Sequence, residues 1–401
     1  MRVSTAQFYF QNSNQLSDKQ SSVNDQMKYI SSGKRVLTAK DDAVNYGTLS
    51  GYKDEIANIE KYQRNITQAE NRNSLLDTSF GNAERILQEI KTTFIQANNG
   101  TLSDADLDAL AEILKDGQDQ LLDIANTKDE TGGYIFSGYQ IDKQPFNLQP
   151  DDTVVYAGDS GERSVQVAKN ILVETNIPGD QAFEKVDNYI GDFSPTYNVN
   201  AGGLNVTNAT IKTPGSYDPT TNPPDYNFDF TSATDLTVRD GNGATVFTTN
   251  TYTPGQAITF NGIEVQINGN PLPGDNLDIT PQEEIGVFDT IKAAIDWVSA
   301  GQNVADPRQH DVDYGEILNQ IDAALNHVTT QRTEAGVRLQ LIDNQDNNHQ
   351  DALINIEKGR SNIEDLDFAK AIATFEQSQV ALQAAQQTFV QIKGLTLFNY
   401  I

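Results

Sequence analysis

The chain of 401 residues contains no cysteine, one tryptophan and two methionines. Without cysteine it has no disulfide, no thiolate nucleophile and no Cys-type zinc site, so packing alone must hold the fold. No run of about 18 apolar residues occurs, which argues against a membrane-spanning helix. The first residues lack the apolar core of a secretory signal peptide. We therefore expect any export from the cell to proceed without a cleaved signal peptide.

Basic side chains are also scarce. The chain has 28 Lys and Arg against 56 Asp and Glu, which gives a formal net charge of -28 at pH 7. Binding to nucleic acid or to an anionic membrane surface depends on cationic side chains, so the composition argues against both partners. The mean hydropathy of -0.51 is low for a globular enzyme. These values predict an elongated molecule with a large polar surface.

Charge is scarcest where an apolar heptad pattern is clearest, at the two ends of the chain. The apolar positions of these ends, here called the terminal seam, are Leu16, Val23, Ile30 and Leu37 near the start and Phe368, Ile372, Phe375, Leu382 and Phe389 near the end. No residue from Gln377 to Ile392 is charged. Helices with one apolar stripe and a neutral remainder are suited to packing against other helices, of the same or neighbouring subunits.

A single apolar face buries little surface for helices of this length. Ordering a helix costs conformational entropy at every residue, and four large side chains on one face offset little of it. The many glutamines of the last helix are less costly to desolvate than Lys or Glu. We therefore predict that the ends gain further contacts from neighbouring subunits and fold together with assembly.

Between the ends, the period of the apolar pattern changes twice. Two interleaved heptad columns run from Tyr62 to Phe94, and Ser103 opens another helix. From about residue 140 the pattern becomes short and β-branched, and Asp240-Gly241, Asn261-Gly262 and Asn268-Gly269 predict hairpin turns. Residues 140–285 contain 20 acidic and 6 basic side chains, so this region is expected to face solvent. The helical period returns at residue 287.

This order predicts an α+β fold. The terminal regions would form an elongated antiparallel helical bundle or coiled coil, with both ends together and an antiparallel β domain inserted between its halves. The predicted segments are an N-terminal assembly helix and loop at 1–45, the N-terminal half of the bundle at 46–139, the acidic β domain at 140–284, the C-terminal half of the bundle at 285–360 and a C-terminal assembly helix at 361–401.

Two motifs at opposite ends of the chain resemble the paired signatures of the bacterial flagellin superfamily. They are ISSGKRV at 30–36 with AKDDA at 39–43, and GRSNIEDLDFA at 359–369. Their polar members, here called the signature residues, are Arg35, Lys40, Asp41, Asp42, Arg360, Glu364 and Asp365. Within the superfamily, GGYIFSG at 132–138 and LTLFNYI at 395–401 resemble the members found at the hook-filament junction more than the flagellins.

The resemblance implies a structural protein of the flagellum that joins hook to filament. It implies a homo-oligomeric ring with a neighbouring hook-associated protein on the hook side and flagellin on the filament side. It also implies a cytoplasmic export chaperone that binds the C-terminal helices, type III export and an extracellular location. In that arrangement the terminal helices form the inner coiled-coil layers and the β domain projects outward.

The signature residues also have a plainer interpretation. Without the resemblance, Arg35, Lys40, Asp41 and Asp42 would be assigned to a solvated loop. Arg360, Glu364 and Asp365 would be ion pairs on a helix surface, which typically contribute under about 1 kcal/mol.

Patterns that indicate enzymes are weak. GDSG at 158–161 matches the surroundings of a chymotrypsin-type serine, but that fold requires an upstream histidine and the first histidine is His310. His310, His327 and His349 are too far apart for a local zinc motif. We therefore predict a protein without catalytic residues, cofactor or metal. Two alternatives remain, namely a flagellin or flagellin-like filament subunit, and a surface module that binds or acts on glycans through the β domain.

Overall fold

The computed structural model of the chain describes residues 5–218, 220, 224–301 and 304–398. The described residues form two compact units. One comprises the chain up to Arg64 together with the chain from Asn344 onward, and the other is Asn65–Asp343. Long helices occupy the first unit, whereas the second contains helices and all of the described strands. The predicted α+β fold with an inserted antiparallel β region is confirmed.

Helices make up both ends of the described chain. Their bounds are α1 (Thr5–Ser32), α2 (Ala43–Ala97), α3 (Asp104–Ala125), α4 (Val287–Ser299), α5 (Pro307–Glu364) and α6 (Phe368–Phe398). The predicted start of α3 is confirmed, because Ser103 accepts a hydrogen bond from the backbone N–H of Asp106 and the Asp106 carboxylate accepts one from the Ser103 backbone. This reciprocal pair satisfies two backbone donors that the first turn of a helix leaves free.

In the first unit, α1 packs against α6, as predicted for the two ends of the chain. Helix α1 ends where Gly33 adopts a φ of +67°, a conformation that glycine reaches without steric cost. Leu37 follows this break and lies exposed in the loop between α1 and α2. The heptad spacing that links Leu37 to Ile30 therefore does not place it on α1, because the backbone changes direction between the two residues.

The helical core of the second unit gathers aromatic side chains from α2, α4 and α5. The ring of Phe94 lies 5.2 Å from that of Trp297 and 5.1 Å from that of Tyr314, measured between centroids. The GGYIFSG segment adds Phe136, which is fully buried. Tyr134 is only half-buried, and the Nζ atom of Lys128 lies 4.5 Å above its ring. This core packs α2, α4 and α5 together, and the strands of the second unit are connected to these helices.

Fourteen strands occur among the described residues. They are β1 (Phe146–Leu148), β2 (Val154–Tyr156), β3 (Ser164–Ala168), β4 (Ile171–Glu174), β5 (Val186–Asp187), β6 (Phe193–Val199), β7 (Asn205–Ile211), β8 (Tyr226–Phe230), β9 (Leu236–Asp240), β10 (Thr245–Thr249), β11 (Ala257–Phe260), β12 (Ile263–Asn268), β13 (Asn276–Pro281) and β14 (Glu284–Ile285). The short β-branched pattern that begins at about residue 140 thus corresponds to strands, as predicted.

The largest sheets lie in the middle of the insertion and share one core. The five-stranded sheet has the order β10-β9-β8-β13-β6, and the three-stranded sheet has the order β11-β12-β7. All of the pairs within them are antiparallel. Alternate side chains of both sheets enter the same apolar cluster, as the period of a strand requires. We call these eight strands the β sandwich.

The three predicted hairpin turns have different outcomes. Asn261 and Gly262 have φ values of +46° and +80° and join β11 to β12, so this turn is confirmed. The turn between β9 and β10 is longer, and its left-handed residue is Gly243 rather than Gly241. Gly269 has a φ of +113°, but β12 and β13 lie in different sheets, so no hairpin forms there.

Candidate functional site

The loop after α1 is organised around the carboxylate of Asp41. Its Oδ2 atom accepts hydrogen bonds from the backbone N–H groups of Leu37 at 3.0 Å and Thr38 at 2.8 Å, and its Oδ1 atom accepts one from the Tyr29 hydroxyl at 2.7 Å. The hydrogen bond from Tyr29, followed by those from the backbone, lowers the pKa of Asp41 to about 2. The loop is therefore held by a fixed anion although it is exposed to solvent.

The next residue, Asp42, begins helix α2. Its Oδ1 atom accepts a hydrogen bond of 3.1 Å from the backbone N–H of Asn45, and the Asn45 side chain donates to Oδ2 at 2.8 Å. These bonds lower the pKa of Asp42, and Arg35 adds to the effect from 3.6 Å away. An aspartate in this position satisfies a free N–H group of the first helical turn. Arg35, Lys40 and Asp41 thus lie exposed in a loop, as in the plainer interpretation, but Asp41 and Asp42 are fixed there by hydrogen bonds.

A carboxylate from the other end of the chain meets this region. Glu364, near the end of α5, is only 2% exposed. Its Oε1 atom lies 2.8 Å from Nζ of Lys34 and 2.7 Å from Nζ of Lys53. Burial raises the pKa of Glu364, but the hydrogen bonds from Lys34 and Lys53 outweigh it and hold the pKa below its ordinary value. The reading of Glu364 as a helix-surface ion pair is wrong, because this carboxylate is buried between two ammonium groups.

Backbone hydrogen bonds join the same two segments. The N–H of Arg35 donates to the carbonyl oxygen of Glu364 at 2.7 Å, and the N–H of Leu366 donates to that of Gly33 at 3.0 Å. Lys34 and Asp365 therefore form an isolated antiparallel bridge. These two backbone hydrogen bonds, one on each side of the bridge, fix the segment through which the chain passes from α5 to α6.

The remaining signature residues lie around this ladder. Arg35 donates from Nη2 to the carbonyl oxygen of Ile363 at 2.7 Å. Nε of Arg360 lies 3.8 Å from Oε2 of Glu364, and the Asp365 carboxylate accepts a hydrogen bond of 2.6 Å from the Ser361 hydroxyl. Lys40 is exposed on the loop. The structure thus brings most of the signature residues together.

Sequence reasoning gave no role to Lys53, which is one of the two cations on Glu364. It lies on α2 outside both signature motifs, and no local pattern distinguishes it from the other lysines of that helix. Only its ion pair with Glu364, which is distant in sequence, identifies Lys53 as a member of this cluster.

Most of the terminal seam lies between α1 and α6. Val23 is 8% exposed, and Leu16, Ile30, Phe375, Leu382 and Phe389 are half-buried. The ring of Tyr9 meets that of Phe389 edge to face, with 6.3 Å between centroids. The small residues Ala371, Ser378 and Ala385 complete the inward stripe of α6 at alternating spacings of three and four, which is a signal that the analysis of large side chains missed.

Two predicted seam residues lie away from that contact. Phe368 is 51% exposed and Ile372 is 46% exposed. Further exposed apolar side chains on α1 and α6 are Phe10, Met27, Val380 and Val390. The outer surfaces of the two helices therefore retain apolar groups after the helices have packed on each other. A row of exposed apolar side chains along a helix is typical of a surface that contacts another protein.

The motifs considered for catalysis have structural partners. The Ser160 hydroxyl donates to Asp180 at 2.6 Å, while Oδ1 of Asp159 accepts from the backbone N–H groups of Tyr139 and Gly161, both at 2.8 Å. GDSG is thus part of a hydrogen-bonded turn. The ring of His310 stacks on Trp297 at 4.1 Å, and that of His349 stacks on Tyr62 at 5.5 Å, between centroids.

Among the residues that the structure describes, no three His, Asp or Glu side chains converge in a way that could hold a metal ion. Nor is any helix there both long and apolar enough to span a membrane.

Comparisons with known proteins match the helical ends of the chain. The bacterial flagellin N-terminal helical region matches residues 3–141, and the bacterial flagellin C-terminal helical region matches residues 318–401. These stretches contain both signature motifs and both halves of the terminal seam. They also contain the complete Lys34–Glu364–Lys53 cluster.

Individual relatives match over nearly the whole chain. Flagellar hook-associated protein 3 of Escherichia coli K12 is 24% identical over 402 residues, which cover 100% of this chain and 99% of the relative. Flagellin A of Vibrio anguillarum is 24% identical and covers 93% of this chain and 91% of its own. The crystal structure of the flagellar junction protein FlgL from Legionella pneumophila superposes with a TM-score of 0.66 and 27% identity, covering 79% of this chain and 99% of that one. The chain belongs to the bacterial flagellin family.

Proposed function

We propose that this chain is the structural subunit that joins the hook of the bacterial flagellum to its filament. The observation that carries the proposal is the full-length correspondence to proteins named as hook-associated protein 3, which includes the inserted β region as well as the helical ends. The chain is a non-enzymatic flagellar protein, and its place is the extracellular flagellum at the hook-filament junction. It assembles there between a hook-associated protein and flagellin.

The terminal helices supply the assembly surface in this proposal. Their inner stripes pack on each other, while Phe10, Met27, Ile372, Val380 and Val390 remain exposed. An equivalent helix pair from the next subunit can cover such side chains, and each buried large side chain contributes about 1.5 to 3 kcal/mol. Repetition of this contact around an axis closes the homo-oligomeric ring.

The Lys34–Glu364–Lys53 cluster sets the position of this surface. It ties the loop after α1 to the last turn of α5, and only three residues separate the end of α5 from the start of α6. A buried, doubly paired carboxylate permits few alternative arrangements, because any of them would leave a charge without a partner. The signature residues thus act as positioning residues for the seam rather than as a binding site.

A cytoplasmic export chaperone is a further part of the proposal. Before assembly, the apolar side chains of α6 have no neighbouring subunit, and exposed apolar surface of this kind favours aggregation. A chaperone that covers the outer face of α6, where Ile372 and Val380 are exposed, would prevent this and keep the helix available for export.

Deletion of the gene in the source bacterium tests the function. The expected result is cells that have hooks without filaments and release flagellin as monomers into the medium. Expression of the full chain should restore filaments, whereas a variant lacking residues 361–401 should not. Full-length filaments on the deletion strain would contradict the proposal.

A filament subunit is the second candidate, because the similarity to Flagellin A of Vibrio anguillarum covers most of both chains. The purified protein distinguishes the two functions. A filament subunit polymerises alone into long filaments under conditions that polymerise flagellin. A junction subunit forms only short assemblies under the same conditions.

A further inference from the structure

The β sandwich is joined to the helices through a narrow neck. Its two chain connections pass through β5 and β14, which pair over only two residues each, Val186 with Ile285 and Asp187 with Glu284. Beyond this ladder, Asn188 donates from its side chain to the carbonyl oxygen of Gln282 at 3.0 Å. A ladder of this length constrains the direction of a domain weakly.

The sandwich has its own hydrophobic core. Its apolar cluster is built from Ile190, the strands β6–β13 and the residues between them, and it shares no residue with the cluster of the helical core. A body with a separate core, joined by a short ladder, can move as a unit when its remaining contacts open.

One of those remaining contacts lies away from the neck, on the first turns of α5. The Tyr197 hydroxyl on β6 donates a hydrogen bond of 2.6 Å to Oε1 of Glu316. The same hydroxyl accepts a bond of 3.0 Å from the backbone N–H of Val206 on β7. Glu316 is thus connected through one phenol to both sheets of the sandwich.

Further hydrogen bonds surround this contact. Asn200 donates to Oε1 of Gln309 at 2.7 Å, and Gln309 donates to Oδ1 of Asp313 at 2.6 Å. Arg308 bonds to the carbonyl oxygen of Ala201. Within the described part of the chain, no Lys or Arg lies within ion-pair distance of Glu316. An ionised carboxylate at this place would therefore have only a phenol as its direct partner.

Burial and the charge of Asp313 make the ionisation of Glu316 unfavourable, whereas the hydrogen bond from Tyr197 favours it. On α5 itself the nearest ionisable neighbour is Asp313, which is influenced in turn by His310 and Asp306. On the sandwich side the facing groups are Tyr197 and Tyr189. Burial raises the pKa of Glu316 to about 7; the hydrogen bond from Tyr197 opposes the increase and the Asp313 carboxyl adds to it.

We propose that Glu316 and Tyr197 form a pH-sensitive latch that holds the β sandwich on α5. With Glu316 protonated, the contact is neutral and keeps the hydrogen bond from Tyr197, and the sandwich is fixed at the neck and at the latch. With Glu316 ionised, the partly buried charge destabilises the contact, and the sandwich is held by the neck and the surrounding hydrogen bonds alone. External pH then controls how firmly the β sandwich is fixed on the helices.

The direction of the effect follows from linkage. The carboxyl has a higher pKa in the closed contact than its ordinary value of 4.5 in solvent. A raised pKa contributes stability that is fully present below the ordinary value and is lost as the pH rises through about 7. The latch is consequently tight in mildly acidic solution and loose in mildly alkaline solution.

The titration of a second carboxyl, that of Glu184 near the neck, must be distinguished from the titration of Glu316. Glu184 lies in the helical turn before β5, and burial, with the charges of Asp289 and Asp180, raises its pKa to about 7. It is not among the groups that act on the pKa of Glu316, and it lies directly before β5, so its titration would act on the neck. The variant Glu184→Gln distinguishes the two effects.

Hydrogen exchange of the full-length protein tests the latch. Protection factors, corrected for the intrinsic pH dependence of exchange, are measured in segments 193–206 and 307–319 at about pH 5.5 and about pH 8. Linkage predicts a decrease in protection on the order of tenfold over this interval in the wild type. Glu316→Gln should keep high protection at both values. Asp311→Asn, which removes an exposed carboxylate from the same helix, should behave as the wild type.

Three outcomes would overturn the proposal. The first is wild-type protection that does not change with pH. The second is a Glu316→Gln variant that follows the wild-type pH course. The third is loss of the pH dependence in Glu184→Gln but not in Glu316→Gln, which would place the effect at the neck. A carbon-13 NMR titration of the Glu316 carboxyl provides an independent readout, and an ordinary pKa there would also exclude the latch.

Discussion

Nζ of Lys34 lies 2.8 Å from Oε1 of Glu364, although the two residues are 330 positions apart. The Glu364 side chain is 3% exposed, whereas that of Lys34 is 44% exposed. The carboxylate is thus enclosed by the fold while its cation reaches it from the solvent side. This arrangement makes Glu364 the partner whose loss matters more, because its removal leaves two ammonium groups facing each other.

Replacement of Glu364 by Ala should destabilise the unit that contains the terminal helices by roughly 1 to 2 kcal/mol. The figure is lower than for a fully buried pair because both lysines are half-exposed. Hydrogen exchange at the Arg35 and Leu366 amides reports the change, since these N–H groups form the adjoining ladder.

The matched control is Glu357→Ala, which removes an exposed carboxylate from the same helix. Equal exchange rates in both variants and the wild type would show that Glu364 does not hold the two segments together. Faster exchange in both variants alike would assign the effect to net charge instead.

Phe389→Asp should abolish assembly while the β sandwich stays folded. The substitution places a charge beside Tyr9 in the contact between α1 and α6, where an unpaired carboxylate is costly. Swimming in soft agar should fall to the level of the deletion strain, and Phe375→Asp should have the same effect. Phe389→Leu keeps the side chain apolar and should retain motility. Normal swimming of the Asp variants would refute the assignment of the seam.

Gly262→Ala should destabilise the β sandwich by about 1 to 3 kcal/mol. Gly262 has a φ of +80°, and a Cβ atom there would lie 2.4 Å from the carbonyl oxygen of Thr213. Gly215→Ala is the control, because a Cβ atom at Gly215 would have nothing within 4 Å. Denaturant unfolding compares the two variants. Equal midpoints would mean that the turn between β11 and β12 tolerates an L side chain.

Limited proteolysis of the purified monomer tests whether the ends fold with assembly. We expect early loss of roughly the first 40 and last 40 residues from a resistant centre, because protease sensitivity follows local unfolding and one shared helix face stabilises these ends weakly. Fragment masses identify the cleavage sites. Resistant ends with cleavage confined to the β loops would mean that the seam is complete within one chain.

The fold class was predictable because periodicity is a local property. The heptad columns between Tyr62 and Phe94 lie in helix α2, and the short β-branched pattern after about residue 140 forms strands, as their periods indicate. The pairing of α1 with α6 also followed from the pattern, since each helix has one apolar stripe and a neutral remainder.

Features that depend on backbone geometry or on distant partners were not predictable in the same way. Leu37 continues a heptad spacing, but the left-handed Gly33 changes the chain direction before it. Asp240-Gly241 resembles a two-residue turn, but the left-handed residue is Gly243. The role of Lys53 depends on Glu364, which is remote in sequence. Short windows of sequence do not contain this information.

The central claim is that the chain forms the junction between hook and filament. Immunogold electron microscopy of intact flagella, with antibodies raised against the β sandwich, measures its position directly. The account predicts gold particles confined to the boundary between hook and filament, and none on flagella of the deletion strain. Labelling along the length of the filament would contradict it and would identify a filament subunit instead.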